Sequence, residues 1–179
     1  MIKNIVTNTN LIGSIIPMQI FGVWALYTIF VGSAPAWWWI ASIIGYIAIM
    51  MLGVSGCYHR LLSHKGFEVS RPVKILMLWF GVLGAQGGPI WWVALHRGYH
   101  HRHTDRDEDP HSPVHGLLHA YITWMFKNPN KTLNLKFVVD LLRDKDVVFF
   151  HTHYFKIVWI SNILLALISV DVWLYTMLL

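Results

Sequence analysis

Eleven histidines and one cysteine define the chemistry open to this chain of 179 residues. The histidines concentrate in two short runs, His59-Arg60-Leu61-Leu62-Ser63-His64 and His96-Arg97-Gly98-Tyr99-His100-His101. With Cys57 alone, neither an intramolecular disulfide nor a cysteine-based zinc cage can form, so a metal would fall to imidazole and carboxylate ligands. Neutral imidazole binds iron, zinc, copper or nickel, and only spacing and context choose among them. The zinc motif H-E-x-x-H is not matched. On an α-helix His96 and His100 share a face, His101 lies about 140° round from His96, and His103 returns to the first face. Such a group serves two neighbouring metals more easily than one.

The elements that position these runs are read from hydropathy. At 55% hydrophobic, 13% charged and a mean hydropathy of +0.48, the composition is too apolar for an ordinary soluble domain, and the length allows one domain. A net charge of +5 alone would admit nucleic acid, but ten tryptophans among long uncharged runs suit a lipid bilayer, so no nucleic-acid partner is expected. Residues 11–57 predict a transmembrane hairpin: Leu11 to Val31 is uncharged, and Ala36 to Cys57 follows after the turn Gly32-Ser33-Ala34-Pro35. A cleaved signal peptide is the competing reading of the first run, disfavoured by its length and by the apolar run that follows. The run Ile75 to Leu95 contains Gly84-Ala85-Gln86-Gly87-Gly88-Pro89, a poor spanning helix, and is read as a buried or half-inserted segment. All 14 Lys and Arg residues then fall on one side with residues 1–10 and 58–156, as the positive-inside rule favours for the cytosol. Residues 137–150 have apolar positions at helical spacing and predict an amphipathic helix, on the membrane surface or on the protein's own cytosolic part. Ile157 to Leu179 predicts a third transmembrane helix with one charge, Asp171, that reaches the headgroups. Asn128-Pro129-Asn130 reads as a loop. The expected fold is an all-α membrane protein, a hairpin plus a third C-terminal helix, with a cytosolic helical cap carrying the histidines.

The histidine runs resemble those of the membrane-bound fatty acid desaturases of the Δ9 type. His59 to His64 is similar to that family's first box, H-x4-H, in the form H-R-L-x-S-H, and His96, His100 and His101 resemble its second box. Thr104-Asp105 and Asp109-Pro110-His111-Ser112-Pro113 continue the likeness, and the stretch from Gly84 to Trp92 is similar to bacterial members. The resemblance implies that His59, His64, His96, His100 and His101 ligate two irons, with O2 as co-substrate, and that Gln86 and Trp92 position an acyl chain. Arg97, Asp105, Asp109, His103, His111 and His119 are expected to support the ligands or the structure, Arg97 with Asp105 as its candidate partner. His111, His115 and His119 recur at helical spacing and would share a face if Pro113 permits. The implied reaction introduces a cis double bond into an acyl chain. Without a haem, flavin or iron–sulfur motif, its electrons must come from an external b-type cytochrome or ferredoxin.

Several positions depart from the family pattern. The second box carries one residue more than the Δ9 spacing before its His pair, which a local helix bulge would accommodate. Tyr121 stands where similar bacterial enzymes have a histidine. Ala94-Leu95 replaces the Arg-Asp pair that acyl-CoA members use, which favours acyl-lipid or other acyl-thioester substrates. A third box is absent, and two irons need about ten donors. The expectation is a fragment of a longer desaturase, then a site completed by a second chain, then an inactive truncated homologue. A hydroxylase or monooxygenase and a non-catalytic membrane protein are the alternative functions.

Overall fold

The computed structural model describes residues 9–32, 37–124 and 134–176. Most of the Gly32–Pro35 turn and the Asn128–Asn130 loop therefore lie outside the described residues. Helix α1 runs Thr9–Phe30, and helix α2 runs Trp37–Tyr46 and continues as a π-helix through Ile47–Ser63. Helix α3 is Arg71–Leu83, and α4 is Pro89–Leu95, passing into a π turn at His96–His100. Helices α5 (Lys145–Thr152), α6 (Tyr154–Ile168) and α7 (Val170–Thr176) complete the chain. No strand occurs among the described residues. Gly13–Phe30 and Ile40–Ser63 are long and apolar enough to cross a membrane.

The core lies where the π-helical part of α2 meets α3, α4 and α5. Tyr58, Leu78, Val82, Val93, Val138, Val147 and Val158 are fully buried there. Backbones of α2 and α3 touch at Gly53, where an added Cβ would lie 2.4 Å from the Gly81 nitrogen. Only a residue without a side chain permits that approach.

Residues 75–95 form two helices joined at a corner, not one rod. Pro89 cannot donate to a continuing helix and opens α4 instead. Ala85 (φ 55°) and Gly87 (φ 95°) take left-handed conformations, and Tyr58 and Tyr154 grip the corner: the Tyr58 hydroxyl donates to the Gly87 carbonyl at 3.3 Å, while Gly87 N–H donates to the Tyr154 hydroxyl at 3.3 Å. The buried His151 imidazole packs on Gly88, and burial lowers its pKa to about 4.

Two expected helices are divided. Over 137–150 the structure has tight 3-10 turns at Leu135–Val138 and Leu141–Arg143, and α5 starts only at Lys145. The break belongs to Asp144, whose carboxylate accepts from the Asp146 and Val147 N–H groups and so caps α5. Lys74 reaches Asp144 (2.7 Å) and Asp146 (3.0 Å), and Arg71 pairs with Asp146, fixing the start of α5 against α3. The described part of the run from Ile157, residues 157–176, likewise is not a single helix, because Ser169 is extended between α6 and α7. Its hydroxyl accepts from Val172 N–H, and Trp173 donates to Asn162 at 3.1 Å, folding α7 back onto α6.

Gly53→Ala is expected to lower stability by roughly 1–3 kcal/mol through overpacking, read as an earlier thermal transition in detergent. Gly66→Ala, where an added Cβ meets only an ordinary 3.6 Å contact, is the control and should unfold with the wild type. His151 supplies a pH test. An unfolded imidazole titrates near 6.5 and the folded one at about 4, so within that window the unfolded chain binds the extra proton. Stability is full above pH ~6.5 and falls as pH drops towards 4, by roughly 3 kcal/mol in all. Denaturant titrations of His151→Gln should show a shallower acid slope than wild type; equal slopes would contradict the assignment.

Candidate metal centre

Two segments supply the histidines, and both are wound as π-helix. In an α-helix residues five apart point about 140° away from each other. In the π-helix the backbone bonds link residues five apart, His64 N–H to His59 O at 3.1 Å and His101 N–H to His96 O, so such residues stand on one face. The Nε2 atoms of His59 and His64 are 3.0 Å apart, and those of His96 and His101 2.7 Å. The π turn at 96–100 absorbs the extra residue of the second run and brings His101 into line with His96, a pairing that α-helical geometry assigns to His100.

The two pairs face each other. Ring centroids of His59 and His96 lie 4.7 Å apart and those of His64 and His101 4.5 Å apart. One nitrogen from each of the four rings falls within 4.8 Å of the others, which suits a single cation. Burial and the neighbouring rings of His101, His59, His100 and His64 lower the pKa of His96 to about 3. The pKa of His101 is lowered too, by burial first and then by the rings of His64 and His100. These rings are therefore neutral near pH 7, the state in which imidazole ligates.

His100 turns away from this quartet into a second group with Asp109 and His111. The Asp109 side chain is fully buried, and its two oxygens stand 2.8 Å from His100 Nδ1 and 3.0 Å from His111 Nδ1. Asp109 thus engages the Nδ1 side of both rings and holds them side by side, with centroids 4.8 Å apart. The His100 ring remains 5.3 Å from His96 and 5.9 Å from His101, so the groups adjoin.

The other sequence-predicted residues separate clearly. Gln86 and Trp92 form a hydrogen-bonded pair (Trp92 Nε1 to Gln86 Oε1, 3.2 Å), and Trp92 stacks on His96 at 4.7 Å. Both line a cavity of about 810 Å³, walled by His96, His111, Met18, Trp79, Leu165 and Ile168 among others. Arg97 pairs with Asp140, not with Asp105, which is exposed in a turn at φ 58°. His111, His115 and His119 share no helical face, because Gly116 (φ 97°) breaks the chain between them. His119 instead reaches the Pro110 carbonyl at 3.0 Å, and His103 joins neither histidine group. Asp140 is missed from the sequence, since its place beside Arg97 depends on chain folded back from 43 positions away.

The fatty acid desaturase family model matches residues 12–179. The chain is 33% identical over 147 residues to the hex-5-enoyl-[acyl-carrier protein] acetylenase of Moorena producens, covering 71% of this chain and 44% of that protein. It is 35% identical over 144 residues to a probable acyl-CoA desaturase of Schizosaccharomyces pombe, covering 78% and 29%. The chloroplastic palmitoyl-monogalactosyldiacylglycerol delta-7 desaturase of Arabidopsis thaliana is 43% identical over 81 residues, covering 45% and 22%. The chain thus spans less than half the length of these relatives. With the match running through both histidine runs to the last residue, the chain belongs to the fatty acid desaturase family.

Proposed function

We propose that this chain carries the histidine-box part of a fatty acyl desaturase that introduces a cis double bond into an acyl chain with O2 as co-substrate. The observation that supports the reading best is the quartet of converging imidazoles, one of which, His96, lines an apolar cavity. An all-nitrogen donor set fits iron that must change oxidation state. His59, His64, His96 and His101 hold one iron, and His100 belongs to the second, with Asp109 orienting the rings of His100 and His111. When bound, the iron pair supplies the O2-dependent oxidising power that unactivated C–H bonds require. The remaining donors come from the rest of a longer polypeptide or from a partner chain.

The chain's own residues orient the substrate. The cavity accepts an acyl chain, and the Gln86–Trp92 pair, held by the clamped corner, fixes which methylenes face the histidines. Ala94 and Leu95 are buried and offer no charge to a CoA head, which favours an acyl-lipid or acyl-carrier substrate. Electrons arrive from an external b-type cytochrome or ferredoxin. Helices α1 and α2 cross the bilayer as a hairpin, with Ile20, Trp24, Phe30, Ile40 and Ile44 exposed towards lipid, and residues 58–156 lie on the cytoplasmic side.

Product analysis of the full-length protein in membranes tests this. Wild type should yield the alkene and His100→Ala should reduce it to background. Unchanged desaturation in His100→Ala would sink the assignment, and an alcohol product would identify a monooxygenase instead.

A further inference from the structure

Arg97 stands between two candidate ligands in sequence, yet its side chain points away from both groups. All five of its N–H donors are engaged. Nε donates to the Ser63 carbonyl (3.1 Å) and Nη2 to the Leu62 carbonyl. Nη1 donates to the Phe137 carbonyl (2.7 Å) and to Asp140 Oδ1 (2.9 Å), and Nη2 also donates to Asp140 Oδ2 (3.1 Å). Leu62 and Ser63 end the helix that carries His59 and His64, and the carbonyls of a last turn have no partner within their own helix. Arg97 supplies that partner from the other histidine segment. A planar fork with five fixed donors joins three backbone carbonyls and a carboxylate at once; an ammonium with three donors cannot.

The far side of the clamp is built to match. Asp140 is also reached by Lys65 at 2.9 Å, and the Phe137 ring sits on Gly98, where an added Cβ would lie 2.8 Å from the ring. The Arg102 guanidinium covers the same ring at 4.6 Å. The 3-10 turn at 135–138 presents the Phe137 carbonyl to Arg97, and Asp140 follows it in the chain within reach of the same guanidinium.

We propose that Arg97 and Asp140 are positioning residues that set the spacing between the His59–His64 pair and the His96–His101 pair, so that the four imidazoles converge on one cation. Neither residue touches the metal. The inference rests on the metal reading given above. It predicts that loosening the clamp degrades the metal site while the fold survives, by about 10- to 100-fold in affinity, as changes behind metal ligands typically do.

Co(II) titration of the full-length protein in detergent, followed by its d–d absorption, tests the proposal. Asp140→Asn keeps the shape and removes the charge; Arg97→Lys keeps the charge and removes the fork. Both should bind Co(II) at least tenfold more weakly than wild type with altered band positions, at unchanged helical circular dichroism. Asp146→Asn, which breaks a similar Arg–Asp pair away from the histidines, should leave the Co(II) affinity and spectrum as they are. Wild-type binding in Asp140→Asn, or an equal loss in Asp146→Asn, would overturn the positioning role. A wild type that takes up no Co(II), and whose behaviour His96→Ala does not change, would overturn the metal reading and the clamp with it.

Discussion

Imidazoles five residues apart meet on one helix face only where the backbone is wound with hydrogen bonds between residues five apart, and both histidine pairs of this protein depend on that winding. Returned to α-helical pitch, His64 and His101 would swing about 140° away from His59 and His96, and the quartet would dissolve. π turns are uncommon and concentrate at functional sites, where their cost is borne by packing around them. Here the core of Tyr58, Leu78, Val82 and Val93 surrounds the π-helical end of α2, and the start of α4 is fixed by the corner before it.

That corner links the cavity and the histidine quartet through one piece of backbone. Ala85 and Gly87 at positive φ turn the chain so that Gln86 lines the cavity, and two tyrosine hydroxyls hold the turn in place. Trp92 then bonds Gln86 on one side and stacks on His96 on the other. A displacement of the corner would therefore move the cavity wall and a candidate ligand together. The close Gly53–Gly81 contact between α2 and α3 resists such a displacement.

The family and the histidine set were legible because they are local patterns: the six-residue spacing of each box and its flanks survive without knowledge of the fold. The assignment of partners was not. One extra residue in the second box could be placed as a bulge, but which histidine it would align with His96 is decided by hydrogen bonds that the sequence does not encode visibly. Residues 137–150 have helical periodicity, yet the chain breaks there because Asp140 turns to Arg97 and Asp144 caps α5, both long-range or capping effects that override periodicity. Ile157 to Leu179 is apolar enough for one helix, but Ser169 and the Trp173–Asn162 bond divide it.

The central claim is that a π-wound quartet of imidazoles holds iron. X-ray absorption at the iron edge, on the full-length protein reconstituted with one iron per chain, counts imidazole ligands through their multiple scattering. The account predicts a nitrogen shell with four imidazoles that loses one in His101→Ala. Failure to retain iron, or an imidazole count unchanged by His101→Ala, would contradict it.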